Sequence, residues 1–191
     1  MNDLIAIMTI MFWPVIPLFW IPVHFFPGFF RRIGFFTYMM PLFTWVPVAY
    51  LIYMNREFLI QTNAELPVSL KILGIFFLAS GSLLHIWTAK LLGLWGIIGV
   101  PEISHRIREN LVTRGPFSRV RHPTYSAHTL IFSGVFLMTG VIAVGILTLL
   151  DLFIVVTFII PLEERELSVR FGESYRRYRE KVPSRICPWI Y

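Results

Sequence analysis

Two polar segments hold the residue types able to do chemistry. The first runs from Arg108-Glu109-Asn110-Leu111-Val112-Thr113-Arg114-Gly115-Pro116-Phe117 to Arg121-His122-Pro123-Thr124-Tyr125. The second opens with Glu163-Glu164-Arg165-Glu166 and continues through Phe171-Gly172 and Tyr175-Arg176-Arg177-Tyr178 to Val182-Pro183. Pro123 suits the first turn of a helix, where its missing N–H is no loss. It also holds His122 out of the helical region. His122 therefore stands at a helix mouth beside free backbone N–H groups, where a ligand carboxylate or hydroxyl can be held. Arg121 and His122 equally suit the level of lipid headgroups. Glu163 and Glu164 directly follow an apolar run. Carboxylates at a membrane boundary need water or a partner. They fit a contact to a cation or to ribose hydroxyls, or pairing with arginines. Glu166/Arg170, Glu173/Arg177 and Arg176/Glu180 read as i,i+4 support of an exposed helix.

Inside the apolar runs the ionisable residues are His85 and Asp151, and such groups are functional candidates by default. Asp151 is expected to pair with a histidine or hydroxyl within the bundle. His128 lies one turn past Tyr125 and shares its helix face. Lys90 is expected to snorkel to the surface. Gly93-x-x-Gly96-x-x-Gly99 permits close packing or a loop, and is not the G-x-G-x-x-G dinucleotide fingerprint.

The elements that position these groups are membrane helices. Hydrophobic residues make up 56% and charged residues 15% of the 191 residues, and the mean hydropathy is +0.68. A soluble domain carries about 25% charged residues, so a soluble globule is excluded, and so is a disordered chain. Apolar runs of bilayer length fall at about 4–26, 34–53, 68–94, 124–138 and 141–161. The first holds Pro14, Pro17 and Pro22 and is expected to kink. The last two are separated only by Thr139-Gly140 and form a tight hairpin, with the 124–138 helix short for a full span. The expectation is an all-α polytopic protein of about five transmembrane helices, one integral membrane domain over 1–191. Its cofactor region comprises 101–125 and 162–188. Of the 17 Lys and Arg residues, 15 fall on the side holding the 90–123 segment and the 162–191 tail. The positive-inside rule places that side in the cytoplasm and the N-terminus outside. Cys187 is the single cysteine, which excludes an internal disulfide and a cysteine-based zinc site. No nucleic-acid motif is present, and no metal site is expected.

The run Leu111–Phe117, then Arg121-His122-Pro123-Thr124-Tyr125, an apolar hairpin, Glu163-Glu164, Phe171-Gly172, Tyr175-x-x-Tyr178 and Val182-Pro183 resembles the isoprenylcysteine carboxyl methyltransferases and their phospholipid methyltransferase relatives. The resemblance covers roughly 110–188. It implies an S-adenosylmethionine-dependent methyltransferase with its cofactor pocket at the cytosolic membrane face. By position it implies Asn110, Leu111, Val112, Phe117, His122, Pro123, Thr124 and Tyr125 as cofactor-binding residues. Glu163 falls at the functional acidic position, binding and catalytic. The acceptor implied first is a lipophilic or prenylated carboxylate, and the alternative is a phospholipid amine. Ile159 stands where eukaryotic prenylcysteine enzymes carry an arginine thought to meet the substrate carboxylate. Two other readings are an NADPH-dependent, sterol-reductase-like enzyme, whose 2′-phosphate the arginine cluster would hold, and a non-enzymatic membrane protein anchored at the headgroups.

Overall fold

The computed structural model describes residues 2–103 and 110–188. Among them the chain is helical, and its only strand-like pairing is an isolated antiparallel bridge between Asn63 and Val141. Arg106, Arg108 and Glu109 lie outside the described residues.

The first apolar run is two helices, α1 (Asn2–Phe12) and α2 (Val15–Phe25), broken at Trp13-Pro14. Proline lacks the N–H that a continuing helix needs and crowds the preceding turn. Of the three prolines, Pro14 marks the break, while Pro22 is accommodated inside α2. The second run begins earlier than its hydropathy suggests. It comprises α3 (Pro27–Ile33), a 3₁₀ segment (Gly34–Met39) and α4 (Met40–Met54). A short α5 (Arg56–Ile60) follows, then the long α6 (Val68–Ile97) and a single turn, α7 (Val100–Ile103). Gly93 interrupts α6 with φ 73° and ψ 172°, a conformation open mainly to glycine.

The hairpin is α8 (Pro123–Thr139) and α9 (Ile142–Ile154). It continues through a π-helical turn (Val155–Ile159) into α10 (Ile160–Phe171) and then α11 (Glu173–Lys181). Gly140 supplies the left-handed residue at the hairpin tip, φ 76°, a common way to end a helix. The tip is tied to the chain before α6: Ala64 N–H donates to the Gly140 carbonyl at 2.8 Å, and Ile142 N–H to Thr62 at 3.1 Å.

Four helical stretches are long and apolar enough to cross a membrane: Asn2–Phe25, Pro27–Met54, Val68–Ile103 and Ile142–Phe171. Their outer faces are apolar, with Phe43 78% and Leu149 70% exposed, while Arg121, Glu164 and Glu166 are buried. That inversion of the soluble pattern suits a lipid solvent. The protein is an all-α, polytopic integral membrane protein. α8, with 17 residues, is shorter than these four. At about 1.5 Å per residue it reaches about 25 Å, against a hydrocarbon core of about 30 Å.

α8 is the central helix and packs along α6. A Cβ on Gly74 would lie 2.7 Å from Met138 N, one on Gly81 2.9 Å from the Ala127 carbonyl, and one on Gly134 2.6 Å from Leu78 N. Glycines at these points let two backbones approach closely, as membrane helix pairs do. A buried apolar cluster of Ala6, Ile10, Val135, Val141, Val144 and Leu147 joins α1, α8 and α9 at the hairpin end. A second, of Ile16, Tyr125, Val155, Ile159 and Ile160, joins α2 to the π-turn beside the head of α8.

Candidate active site

The head of α8 is built by side chains from both polar segments. Pro123 occupies its first turn, and His122 is the N-cap with φ −124° and ψ 60°. Residues 182–186 run beside it. Arg121 N–H donates to the Ser184 carbonyl at 3.0 Å, and His122 N–H to Arg185 at 2.8 Å. The Ser126 hydroxyl donates to the Ile186 carbonyl. The Arg121 guanidinium donates to Glu164 at 2.7 Å and to the carbonyls of Val182 and Pro183 at 2.7 and 2.6 Å. Glu164 also lies 3.2 Å from Arg185 and 3.3 Å from the His122 ring.

The two neighbouring glutamates therefore have different surroundings. Glu164 is 5% exposed and holds the strap of residues 182–186 to α8. Glu163 accepts a hydrogen bond from the Tyr125 hydroxyl at 3.0 Å. One of its oxygens lies 3.6 Å from His122 Nδ1, and its side chain lines a cavity. Burial pushes His122 toward the neutral form, but the Glu163 and Glu164 carboxylates outweigh it, and the net shift is upward. Burial pushes the phenols of Tyr175 and Tyr178 up.

The cavity holds about 470 Å³. Glu102, Glu163, His24 and His122 line its polar end, with Trp20, Phe117 and Tyr125 as aromatic walls. Along α8 from Tyr125 the lining continues with His128 and then Phe132, with His85 beside His128, and Phe12 and Trp13 line it too. Glu102 accepts from Arg170 at 2.9 Å through Oε1. Its Oε2 is buried without a hydrogen-bond partner among the described residues. His24 lies 2.8 Å from Glu166, which also takes a 2.8 Å bond from Arg31. Glu166 is thus buried in a network across α2, α3 and α10, not on the exposed helix face expected from its i,i+4 spacing. Asp151 takes its hydrogen bond from the Trp13 indole at 2.8 Å, not from a histidine or hydroxyl. Glu173 with Arg177, and Arg176 with Glu180, by contrast, form exposed i,i+4 pairs as expected.

Of the binding residues that the resemblance implies, Phe117, His122, Thr124, Tyr125 and Glu163 meet at this cavity, as do Arg121, His85 and His128. Asn110, Leu111 and Val112 line a neighbouring one of about 580 Å³, which shares Leu92 and Gly96 with it. Pro123 lines neither. It faces an apolar groove of about 940 Å³ beside Leu130, Phe153 and Ile186. His24, Trp20 and Glu102 were not legible as site residues. The available signal was the i,i+4 spacing of Trp20 and His24, whose rings stack at 5.4 Å. Glu102 is an isolated acid whose position depends on the turn after Gly99. No group of three His, Cys, Asp or Glu able to hold a metal ion occurs among the described residues.

Residues 70–174 match the family model of the phospholipid methyltransferases. The chain belongs to that family. No curated protein and no solved structure gives a significant match. A phospholipid methyltransferase family member is a methyltransferase, and here it is one embedded in the membrane. The matched range runs from the first turn of α6 to the start of α11. It holds the π-turn, the hairpin, His122, Tyr125 and Glu163, while α1 and α2 with Trp13, Trp20 and His24 lie outside it. The family in general uses S-adenosylmethionine.

Proposed function

We propose that this protein transfers a methyl group from S-adenosylmethionine to the amine of a membrane phospholipid, in the cavity at the head of α8. The charge of the cavity lining carries this reading. Two carboxylates, Glu102 and Glu163, face the cavity. The arginine that lines it, Arg121, is taken up by Glu164 and two carbonyls. Ile159, where a carboxylate-binding arginine would stand, is fully buried in the core. A carboxylate acceptor would therefore lack a free guanidinium, whereas an ammonium could be taken by the Glu102 Oε2, which has no partner among the described residues.

The donor set also fits the cofactor. The Glu102 Oε2, unpartnered among the described residues, and the Glu163 carboxylate suit cationic groups and ribose hydroxyls, and the Trp20 and Phe117 rings suit a purine. When bound, S-adenosylmethionine supplies a methyl group on a positively charged sulfur. His122, Thr124, Tyr125 and Glu163 would hold it at the polar end, with Asn110, Leu111 and Val112 reaching it from the adjoining cavity. Tyr125 and His122 fix the Glu163 carboxylate in place. Phe12, Trp13 and Phe132 exclude water from the deeper end, and positioning of two reactants is itself a large share of such catalysis.

S-adenosylhomocysteine binding to the detergent-purified protein tests the site. Wild type is expected to bind at micromolar Kd. Loss of a charge-assisted hydrogen bond weakens binding by about 1.5–3 kcal/mol, or roughly 10- to 100-fold, in His122→Ala and Glu163→Gln. Unaltered binding in both variants overturns the site. Methylation of an isoprenylcysteine analogue, with none of phosphatidylethanolamine, overturns the amine acceptor and restores the carboxylate.

A further inference from the structure

We propose that His85 and His128 form a paired proton acceptor for the acceptor amine, an inference that rests on the amine reading above. The two imidazoles face each other across α6 and α8 with ring centroids 5.2 Å apart. Both residues line the cavity. The Nδ1 atom of each is buried and has no hydrogen-bond partner among the described residues. Buried polar groups are normally paired, so two adjacent orphans on one cavity wall mark a place for a donor.

Their position follows from helix packing. His85 lies four residues after Gly81, on the α6 face that also presents Gly74 and Leu78 to α8. The Gly81 backbone meets the Ala127 carbonyl so closely that a Cβ would stand 2.9 Å from it, and His128 is the next residue. The closest approach of the two helices thus holds the rings together. Along α8, His128 is about 4.5 Å beyond Tyr125 at the helical rise. Its ring centroid lies 6.0 Å from that of Tyr125 and 6.1 Å from that of Phe132. The pair sits between the polar end, where Tyr125 holds Glu163, and the aromatic deep end. That is the level at which a headgroup arriving from the bilayer meets a cofactor arriving from the aqueous side.

An ammonium cannot attack until it loses a proton, and an imidazole nitrogen that lacks a hydrogen-bond partner is a group able to take one. In the step, the ammonium N–H bond breaks and its proton joins a ring nitrogen of the pair. The amine keeps the electron pair and forms the new N–CH3 bond with it. The C–S bond breaks and its electrons remain on sulfur as a thioether. One proton is released for each methyl transferred. The other ionisable groups lining the cavity are His24 on α2, Glu102 on α7, Arg121, His122 and Tyr125 around the start of α8, and Glu163 on α10. Asp151 on α9 is held by Trp13.

The test uses His128→Asn and His85→Asn, in the full chain, with three readouts. S-adenosylhomocysteine binding should match wild type, showing that the fold and cofactor site persist. Calorimetric binding of a short-chain phosphatidylethanolamine should weaken about tenfold or more, as expected for a lost hydrogen bond to a charged group. The methylation rate at pH 7 should fall roughly 100-fold or more. That deficit should shrink as pH rises toward 9, because the free amine then becomes available without a protein base. A rate loss that is equal at every pH, or unchanged amine-lipid binding, overturns the proposal and makes the pair packing only. Wild type that binds S-adenosylhomocysteine but neither binds nor methylates the amine lipid overturns the amine reading, and the proton acceptor with it. If both variants lose S-adenosylhomocysteine binding as well, the pair belongs to the fold of the site and the proposal fails.

Discussion

Glu163 and Glu164 are identical in type and adjacent in the chain, and helix geometry separates them by about 100°. Glu164 is the buried centre that Arg121, Arg185 and His122 surround. Removing one member of a buried ion pair leaves the others uncompensated and costs about 3–5 kcal/mol. Glu164→Gln is therefore expected to lower the thermal unfolding midpoint in detergent clearly. Glu163→Gln, whose side chain borders the cavity and also holds Tyr125 and His122, should lower the midpoint as well and in addition weaken S-adenosylhomocysteine binding. A second residue-scale expectation concerns pH. His122 is raised in the folded protein by its two carboxylate neighbours, after burial is offset. Its contribution is complete below the ordinary histidine value of about 6.5 and is lost as pH rises through the higher folded value. Thermal stability should fall over that alkaline-going window in wild type, and less in His122→Ala. The His-Pro-x-Tyr motif was legible because Pro123 dictates a helix start. Glu163 was singled out from Glu164 by the resemblance and not by spacing, since which of the two faces the cavity depends on the rotation of α10 after the π-turn. His24 was hidden because its partner, Glu166, is 142 residues away.

At the scale of elements, the pairing of α6 with α8 rests on close backbone approach at Gly74, Gly81 and Gly134. A bulky residue there cannot be absorbed by a side-chain shift, since the nearest atoms include backbone. Gly134→Val is expected to destabilise the protein by about 1–3 kcal/mol, the usual penalty for overpacking. Gly28→Ala, where a Cβ would meet nothing within 4 Å, is the control. Thermal unfolding of both variants in one detergent checks this. Apolar length made the membrane helices and the hairpin legible, and the break after Pro14 followed from proline chemistry. Those glycines were not singled out, because contact between two particular helix faces leaves no periodic mark in one chain. The start of the second span at Pro27 was missed because Phe29-Phe30-Arg31-Arg32 reads as a loop, while Arg31 in fact turns inward to Glu166.

For the whole molecule, charge placement predicts an orientation that the helices alone leave open. The expected topology puts Arg56 and Lys71 on one side and the other 15 Lys and Arg residues on the other, so the site is expected to face the cytoplasm. Cys187 is exposed and is the single thiol. A membrane-impermeant maleimide should label it in inverted vesicles and leave it unlabelled in sealed right-side-out cells. The reverse pattern would turn the molecule over. The strap of residues 182–186 has a consequence in time. Every other group that shapes the head of α8 precedes residue 182, and Arg121 and His122 receive their backbone acceptors from Ser184 and Arg185. Chains grow at about 5–20 residues per second, so about 60 residues separate His122 from its acceptor by several seconds of synthesis. The hairpin is made within that interval, and its mouth stays unfinished until the end of it. On the proposed function, a chain that stops short of the strap is therefore expected not to bind S-adenosylhomocysteine.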